Sequence, residues 1–274
     1  MYIAKLMYHK WEEEPISMTK SGFAGTFAIF FYCCNIKCVY CQNSKISHVP
    51  FPGSQCSPLR SNDVSSEKVV YTADELSDEM IQAEKNNAAS ISFITGVLYI
   101  DEIVKTIKLA REKGLKIPIV YNSSGYETVS QIKKLDGLID IYLPDFKYFD
   151  NELGKLYSKV PNYTDIAKLS IEEMYRQVGN KMIVRHLVLP GHTENAKKII
   201  KYLYDTYGDN IYLSIMSQYT PMPDNKELSA FPNLQRKLTK REYEKVLNYA
   251  IELGVKNAYF QEGDVAKESF IPDF

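Results

Sequence analysis

Short apolar runs of strand length alternate along the chain with stretches in which apolar residues return at steps of three and four. Runs at 26–32 (TFAIFFY), 90–94, 117–121, 139–143, 182–189 and 211–215 read as strands. Helical periodicity occupies 73–85, 101–113, 127–135, 163–178, 193–207 and 239–253. Gly114 and Gly254 stand where helices commonly end. A last strand is expected at 257–260. Such alternation predicts an α/β fold with a parallel sheet and right-handed crossovers, helices lying outside. Its six or seven units suggest an open or partial barrel rather than a complete eightfold one, and in either a barrel or an open sheet chemistry belongs at the carboxyl ends of the strands. No linker interrupts 1–274, which reads as one domain with long loops at 42–72 and 218–237.

Composition supports a packed chain, since 45% of its 274 residues are hydrophobic and 24% are charged. The net charge of −1 offers no field for nucleic acid or an anionic bilayer. The longest apolar stretch, 23–34, contains Gly25 and Thr26 and falls short of the roughly 20 positions a membrane span needs. Lys5, Lys10, Glu12, Glu13 and Glu14 make the first fifteen residues unlike a secretory signal, so the expected location is the cytoplasm.

Four of the five cysteines fall between Cys33 and Cys41, too close for a disulfide framework. In a reducing compartment such a sulfur cluster suits a soft metal centre. Cys34, Cys38 and Cys41 form a C-x3-C-x2-C pattern directly after the first strand. Three thiolates there can each take one iron of a [4Fe-4S] cubane, leaving the fourth iron open to a small molecule. Two other readings compete. Positions 34, 38 and 41 would also share one face of a helix, although the strand run leading into Cys33 opposes that. His48 could instead complete a Cys3His structural zinc site in a noncatalytic binding protein. Strand alternation is expected to turn Cys33 away from Cys34 as a packing residue, and Cys56 lies alone in the first long loop.

The C-x3-C-x-aromatic-C string, with Tyr40 as the aromatic, resembles the radical S-adenosylmethionine (SAM) superfamily. The resemblance narrows to pyruvate formate-lyase-activating enzyme-like proteins through 11–17 (WEEEPIS), 41–43 (CQN), 120–127 (VYNSSGYE), 140–148 (DIYLPDFKY), 184–191 (VRHLVLPG) and 216–219 (MSQY). It implies a partial (β/α)6 barrel in which SAM chelates the open iron of a [4Fe-4S] cluster. One electron then cleaves the sulfonium, and the resulting 5′-deoxyadenosyl radical abstracts hydrogen from a substrate. The implied substrate is a glycyl residue of a partner enzyme, with a small molecule or peptide as the alternative, and flavodoxin or ferredoxin as the electron donor.

The same resemblance assigns Asp145 and Lys147 to an Asp-x-Lys pair near SAM and Arg185 to its carboxylate. A guanidinium can grip a carboxylate with two parallel hydrogen bonds. Independently, a charge inside the apolar run of Arg185 demands a buried partner. Tyr40, Asn43, Thr95, Gly96, Asn122 and Ser123 are the remaining expected cofactor contacts. At the end of the second strand the superfamily usually carries a Gly-Gly-Glu-type segment. Here Ile94, Thr95, Gly96 and Val97 supply no carboxylate. With only Cys33 and Cys56 remaining, no four-cysteine auxiliary cluster can form from this chain alone. Elemental analysis of anaerobically purified protein separates the enzyme from the binding module. Iron with sulfide is expected, and about one zinc per chain without iron would favour the Cys3His reading.

Overall fold

The computed structural model describes residues 1–10, 12–19, 22–50, 69–222 and 226–261; Trp11 and Cys56 fall outside them. One five-stranded sheet runs in the order β1 (Ile3–His9), β2 (Thr26–Phe31), β3 (Ser90–Ile94), β4 (Ile119–Ser123) and β5 (Ile141–Pro144). A three-stranded sheet comprises β6 (Ile183–Leu187), β7 (Tyr212–Met216) and β8 (Ala258–Phe260), with β7 in the centre. Every ladder in both sheets is parallel except that of β1 on β2. Isolated parallel bridges, Tyr142 to Met182 and Asp145 to Arg185, join β5 to β6. The Phe146 amide also donates to the Arg185 carbonyl at 2.8 Å across that seam. From β2 to β8 the strands therefore follow one direction, and no ladder joins β1 to β8 among the described residues. This is the parallel-dominated α/β architecture that the alternation predicts.

Strand alternation sorts the core into two faces. Phe27, Ile29, Phe31, Ile91, Phe93, Ile119, Tyr121 and Val184 belong to the large cluster that includes helix residues such as Leu76, Ile103 and Ile199. The intervening positions form two smaller clusters, one of Ala28, Phe30, Ile46 and Ile94 and one of Val120, Ile141, Leu143 and Ile183. Ile16 completes the latter, fully buried, from a single helical turn at Glu14–Ser17. Ser90 Oγ donates to the Ile16 carbonyl at 2.7 Å, anchoring that N-terminal turn against the sheet.

Several expected boundaries change for identifiable reasons. The helix expected over 127–135 spans only Val129–Lys133, because Thr128 caps it in a reciprocal capping box with Gln131. Glu127 is thereby left outside the helix. Strand β1 escapes the periodicity: its Ile, Ala, Lys, Leu, Met, Tyr, His order has weak alternation, and its antiparallel partner lies beyond the next turn. In the expected loop at 42–72, Ser44–Ser47 forms a turn of helix and Val70 bridges to Tyr2. The loop at 218–237 contains two 3-10 turns, Lys226–Ala230 and Pro232–Gln235. A further helix, Asn151–Ser158, also lies outside the expected set. Its Gly154 weakens helical propensity, yet a Cβ there would meet Tyr163 Cβ at 2.5 Å, so glycine permits the close approach of the next helix, Tyr163–Val178.

Tyr163 fastens this helical pair to the ends of β4 and β5. Its buried hydroxyl donates to the Ser124 and Asp145 carbonyls at 2.9 and 3.0 Å and accepts from the Lys147 amide at 3.1 Å. Tyr163→Phe leaves these backbone groups without their partner while preserving ring volume. It is expected to cost about 1–3 kcal/mol in urea unfolding with an unchanged far-UV spectrum.

Candidate functional site

Past β2 the backbone bends at Cys33, whose φ is +70°, and its amide donates to the Ile46 carbonyl at 2.9 Å. Cys33 is therefore beyond the strand, and the alternation expected to orient it does not operate there. The following loop is tied to the end of helix Asn151–Ser158. Lys37 and Val39 amides donate to the Ser158 and Tyr157 carbonyls at 3.0 and 2.8 Å, satisfying acceptors a helix C-terminus leaves open. Ile36 and Val39 are buried and pin the loop to the core.

This arrangement brings Cys34, Cys38 and Cys41 to one cavity of about 240 Å³, while Cys33 is buried outside its lining. Each of the three sulfurs meets one donor or potential donor. The Ile36 amide faces Cys34, whose Sγ also lies 3.7 Å from Asn35 Oδ1, Ser158 Oγ lies 3.0 Å from Cys38 Sγ, and Ser47 Oγ lies 3.2 Å from Cys41 Sγ. Burial pushes the Cys34 thiol up to about 12 and the Cys38 thiol up to about 11. Charge on these sulfurs therefore requires a compensating cation. Beyond Cys38 the hydroxyls continue: Tyr148 lies 2.8 Å from Ser158, and Tyr40 lies 2.6 Å from Tyr148.

The strand ends supply the rest of the lining. Thr95 follows β3, Asn122 and Ser123 close β4, Asp145 and Lys147 follow β5, and Arg185 projects from β6. Tyr40 and Asn43 also line the cavity. Gly96 is the exception among the expected site residues. It lies outside the lining, and a Cβ there would approach Ile103 Cδ1 to 2.5 Å and Phe31 to 3.1 Å. Packing therefore explains that glycine. Gln42, Ser47, Ser124, Met216 and Gln218 enter the lining from outside the expected set, although Met216 and Gln218 occupy the carboxyl end of β7, where such residues belong.

Charged partners give the two basic residues different settings. Lys147 pairs with Asp145. Burial disfavours its ammonium, but the adjoining carboxylate prevails and holds Lys147 well above its ordinary value. Arg185 has the buried partners its sequence position demands: Nε donates to Glu13 Oε1 at 2.8 Å, and Nη2 donates to both Glu12 and Glu13. Burial alone would raise Glu12; Arg185 and His9 outweigh it and hold the carboxyl at about 2. Arg185 thus faces the cavity with two carboxylates already on one edge, a setting the SAM-carboxylate assignment did not include. A second cavity, about 360 Å³ and lined by His9, Glu12, Glu13 and Glu14, shares Arg185, Met216 and Gln218 with the first.

The zinc reading loses its fourth ligand. His48 is outside the cavity lining, and its Nε2 is buried without a hydrogen-bond partner. Among the described residues no three His, Cys, Asp or Glu side chains gather closely enough for one metal ion. The trio instead suits thiolates that each take a separate iron.

Comparison with known proteins gives the family. The Radical SAM superfamily model matches residues 28–203, and the chain belongs to that superfamily, whose cofactors are a [4Fe-4S] cluster and SAM. An uncharacterized protein of Methanocaldococcus jannaschii is 34% identical over 227 residues, covering 81% of this chain and 61% of its own length. A pyruvate formate-lyase-activating enzyme of Streptococcus mutans is 23% identical over 185 residues, covering 64% of this chain and 63% of the relative. This chain thus spans about six-tenths of these curated relatives. The fold is similar to that of a radical SAM methyltransferase from Sphaerobacter thermophilus, with TM-score 0.58 and 13% identity, covering 89% of this chain and 71% of that one. No helix among the described residues is long and apolar enough to cross a membrane.

Glu127 lies just behind this site. It is only 1% exposed, accepts from Ser123 Oγ at 2.5 Å through Oε2, and leaves Oε1 unpartnered. Burial raises its carboxyl from 4.5 to about 7. Since the folded chain holds this proton more tightly, its contribution is complete below pH 4.5 and is lost as pH rises through about 7. Glu127→Gln retains an acceptor for Ser123 without the charge. Above pH 7 it is expected to stabilise the protein by about 3 kcal/mol relative to wild type, each tenfold change in proton affinity being worth about 1.4 kcal/mol. The same variant is expected to flatten this part of the pH–stability curve measured by denaturant melts.

Proposed function

We propose that the chain is a radical SAM oxidoreductase in which Cys34, Cys38 and Cys41 hold the [4Fe-4S] cluster. The convergence of these three thiols with polar groups from successive strand ends in one cavity carries the reading. When bound, the cluster and SAM supply one-electron cleavage of the sulfonium to methionine and a 5′-deoxyadenosyl radical. The protein's part is positional. Asp145 keeps Lys147 cationic beside the cavity, and Tyr40, Asn43, Thr95, Asn122 and Ser123 offer polar or aromatic contacts to a nucleotide. Glu12 and Glu13 occupy Nε and Nη2 of Arg185, so among the described residues Nη1 is the guanidinium nitrogen left to meet a carboxylate. The apolar clusters beneath the cavity limit water around a reactive radical.

The hydrogen donor we propose is a glycyl residue of a partner enzyme, delivered through the adjoining cavity, with flavodoxin or ferredoxin supplying the electron. The Streptococcus mutans relative, described as a pyruvate formate-lyase-activating enzyme, supports this choice. The second cavity also favours an alternative: its glutamates suit a cationic small molecule or peptide.

Anaerobically reconstituted protein, reduced in the presence of SAM, is expected to form 5′-deoxyadenosine. Failure with an intact cluster would overturn the catalytic reading. Cys34→Ala, Cys38→Ala and Cys41→Ala are each expected to abolish that product and lower bound iron. Deuterium transfer from candidate substrates into 5′-deoxyadenosine distinguishes a glycyl peptide from a small molecule.

A further inference from the structure

Among the described residues Cys41 meets the Ser47 hydroxyl and Cys34 meets the Ile36 amide and Asn35 Oδ1, but Cys38 stands at the end of a buried row of three hydroxyls. Ser158 and Tyr148 are 0% exposed and Tyr40 is 7% exposed, so water cannot readily replace these bonds. Ser158 ends helix Asn151–Ser158 and grips the cysteine loop twice. Its carbonyl accepts from the Lys37 amide at 3.0 Å, while its hydroxyl contacts Cys38 at 3.0 Å.

We propose that Ser158 is a positioning residue that raises the reduction potential of the cluster through Cys38, with Tyr148 and Tyr40 polarising its hydroxyl. The inference rests on the reading that Cys34, Cys38 and Cys41 hold a [4Fe-4S] cluster. Proton inventory fixes the direction of the row. A ligating Cys38 thiolate has no proton, so Ser158 donates its single hydroxyl proton to sulfur. Ser158 oxygen must then accept from Tyr148, and Tyr148 oxygen from Tyr40. Donors aligned head to tail strengthen one another in a low-dielectric interior. A bond to ligand sulfur favours the cluster state with more negative charge, which is the reduced one. Tyr40 thus has two uses: its side chain lines the cavity, and its hydroxyl orders the row from the far end.

The test is an EPR-monitored redox titration of the full chain with its cluster reconstituted, alongside iron and sulfide counts. Ser158→Ala is expected to lower the reduced-to-oxidised ratio at fixed ambient potential about tenfold, equivalent to about 59 mV for a one-electron couple. Tyr148→Phe and Tyr40→Phe, which retain ring volume, are expected to move the ratio in the same direction by less. Ser158→Thr keeps the hydroxyl and is expected to retain the wild-type midpoint. Unchanged midpoints in iron-replete Ser158→Ala would overturn the proposal, as would a Ser158→Thr change as large as that of alanine. If Ser158→Ala does not retain iron, unchanged midpoints in both phenylalanine variants overturn it equally. Wild-type protein without iron would instead sink the cluster reading beneath it.

Discussion

The gathering of three largely desolvated cysteines, Cys38 buried and Cys34 and Cys41 half-buried, at one end of a parallel sheet is the constraint around which the surrounding elements are arranged. Desolvation favours the protonated forms of Cys34 and Cys38, so charge on this trio requires compensation from metal, nearby cations and directed donors. The chain supplies those groups from separate elements. The cysteine loop contributes the Ile36 amide, the turn after it contributes Ser47, helix Asn151–Ser158 contributes Ser158, and the end of β5 contributes Lys147. The same helix also accepts from the loop backbone, making loop geometry and sulfur environment parts of one interaction.

A second buried charge organises the other side of the cavity. Arg185 is held in the sheet by Glu12 and Glu13, while Ile16, only a few residues later, packs among the inward positions of β4, β5 and β6. The N-terminal segment is consequently both apolar packing and counter-charge. Such an ionic group is weak evidence for net stability, because removing three charges from water offsets much of their attraction. Its clearer consequence is positional: Arg185 has one direction and one residual edge where the two cavities meet.

Parallel strands make this convergence possible. Since β2 through β7 all point the same way, residues separated by long stretches of chain emerge at a common rim. The rim combines a three-cysteine loop, cationic groups and polar strand ends. The same scaffold supports many reactions, so the donor set identifies the cofactor chemistry more narrowly than it identifies the hydrogen donor.

Local signals in the sequence determined the strand–helix alternation, most element centres, and the thiol spacing after β2. The βα period also put Asn122, Ser123 and Asp145 at strand ends on this rim, while the family resemblance singled out Asp145, Lys147 and Arg185, which line it too. Gly96 departed from that expectation because packing against Ile103 and Phe31, rather than the cavity, requires its small size. Tertiary structure alone decided that Glu12 and Glu13 meet Arg185, 173 and 172 positions away, and that Ser158 meets Cys38, 120 positions away. Hydrophobic period and motif spacing report forces between near neighbours in the chain. Counter-charges and hydroxyl donors are chosen by distance in space, which exists only after the helices have packed and the strands have taken their order.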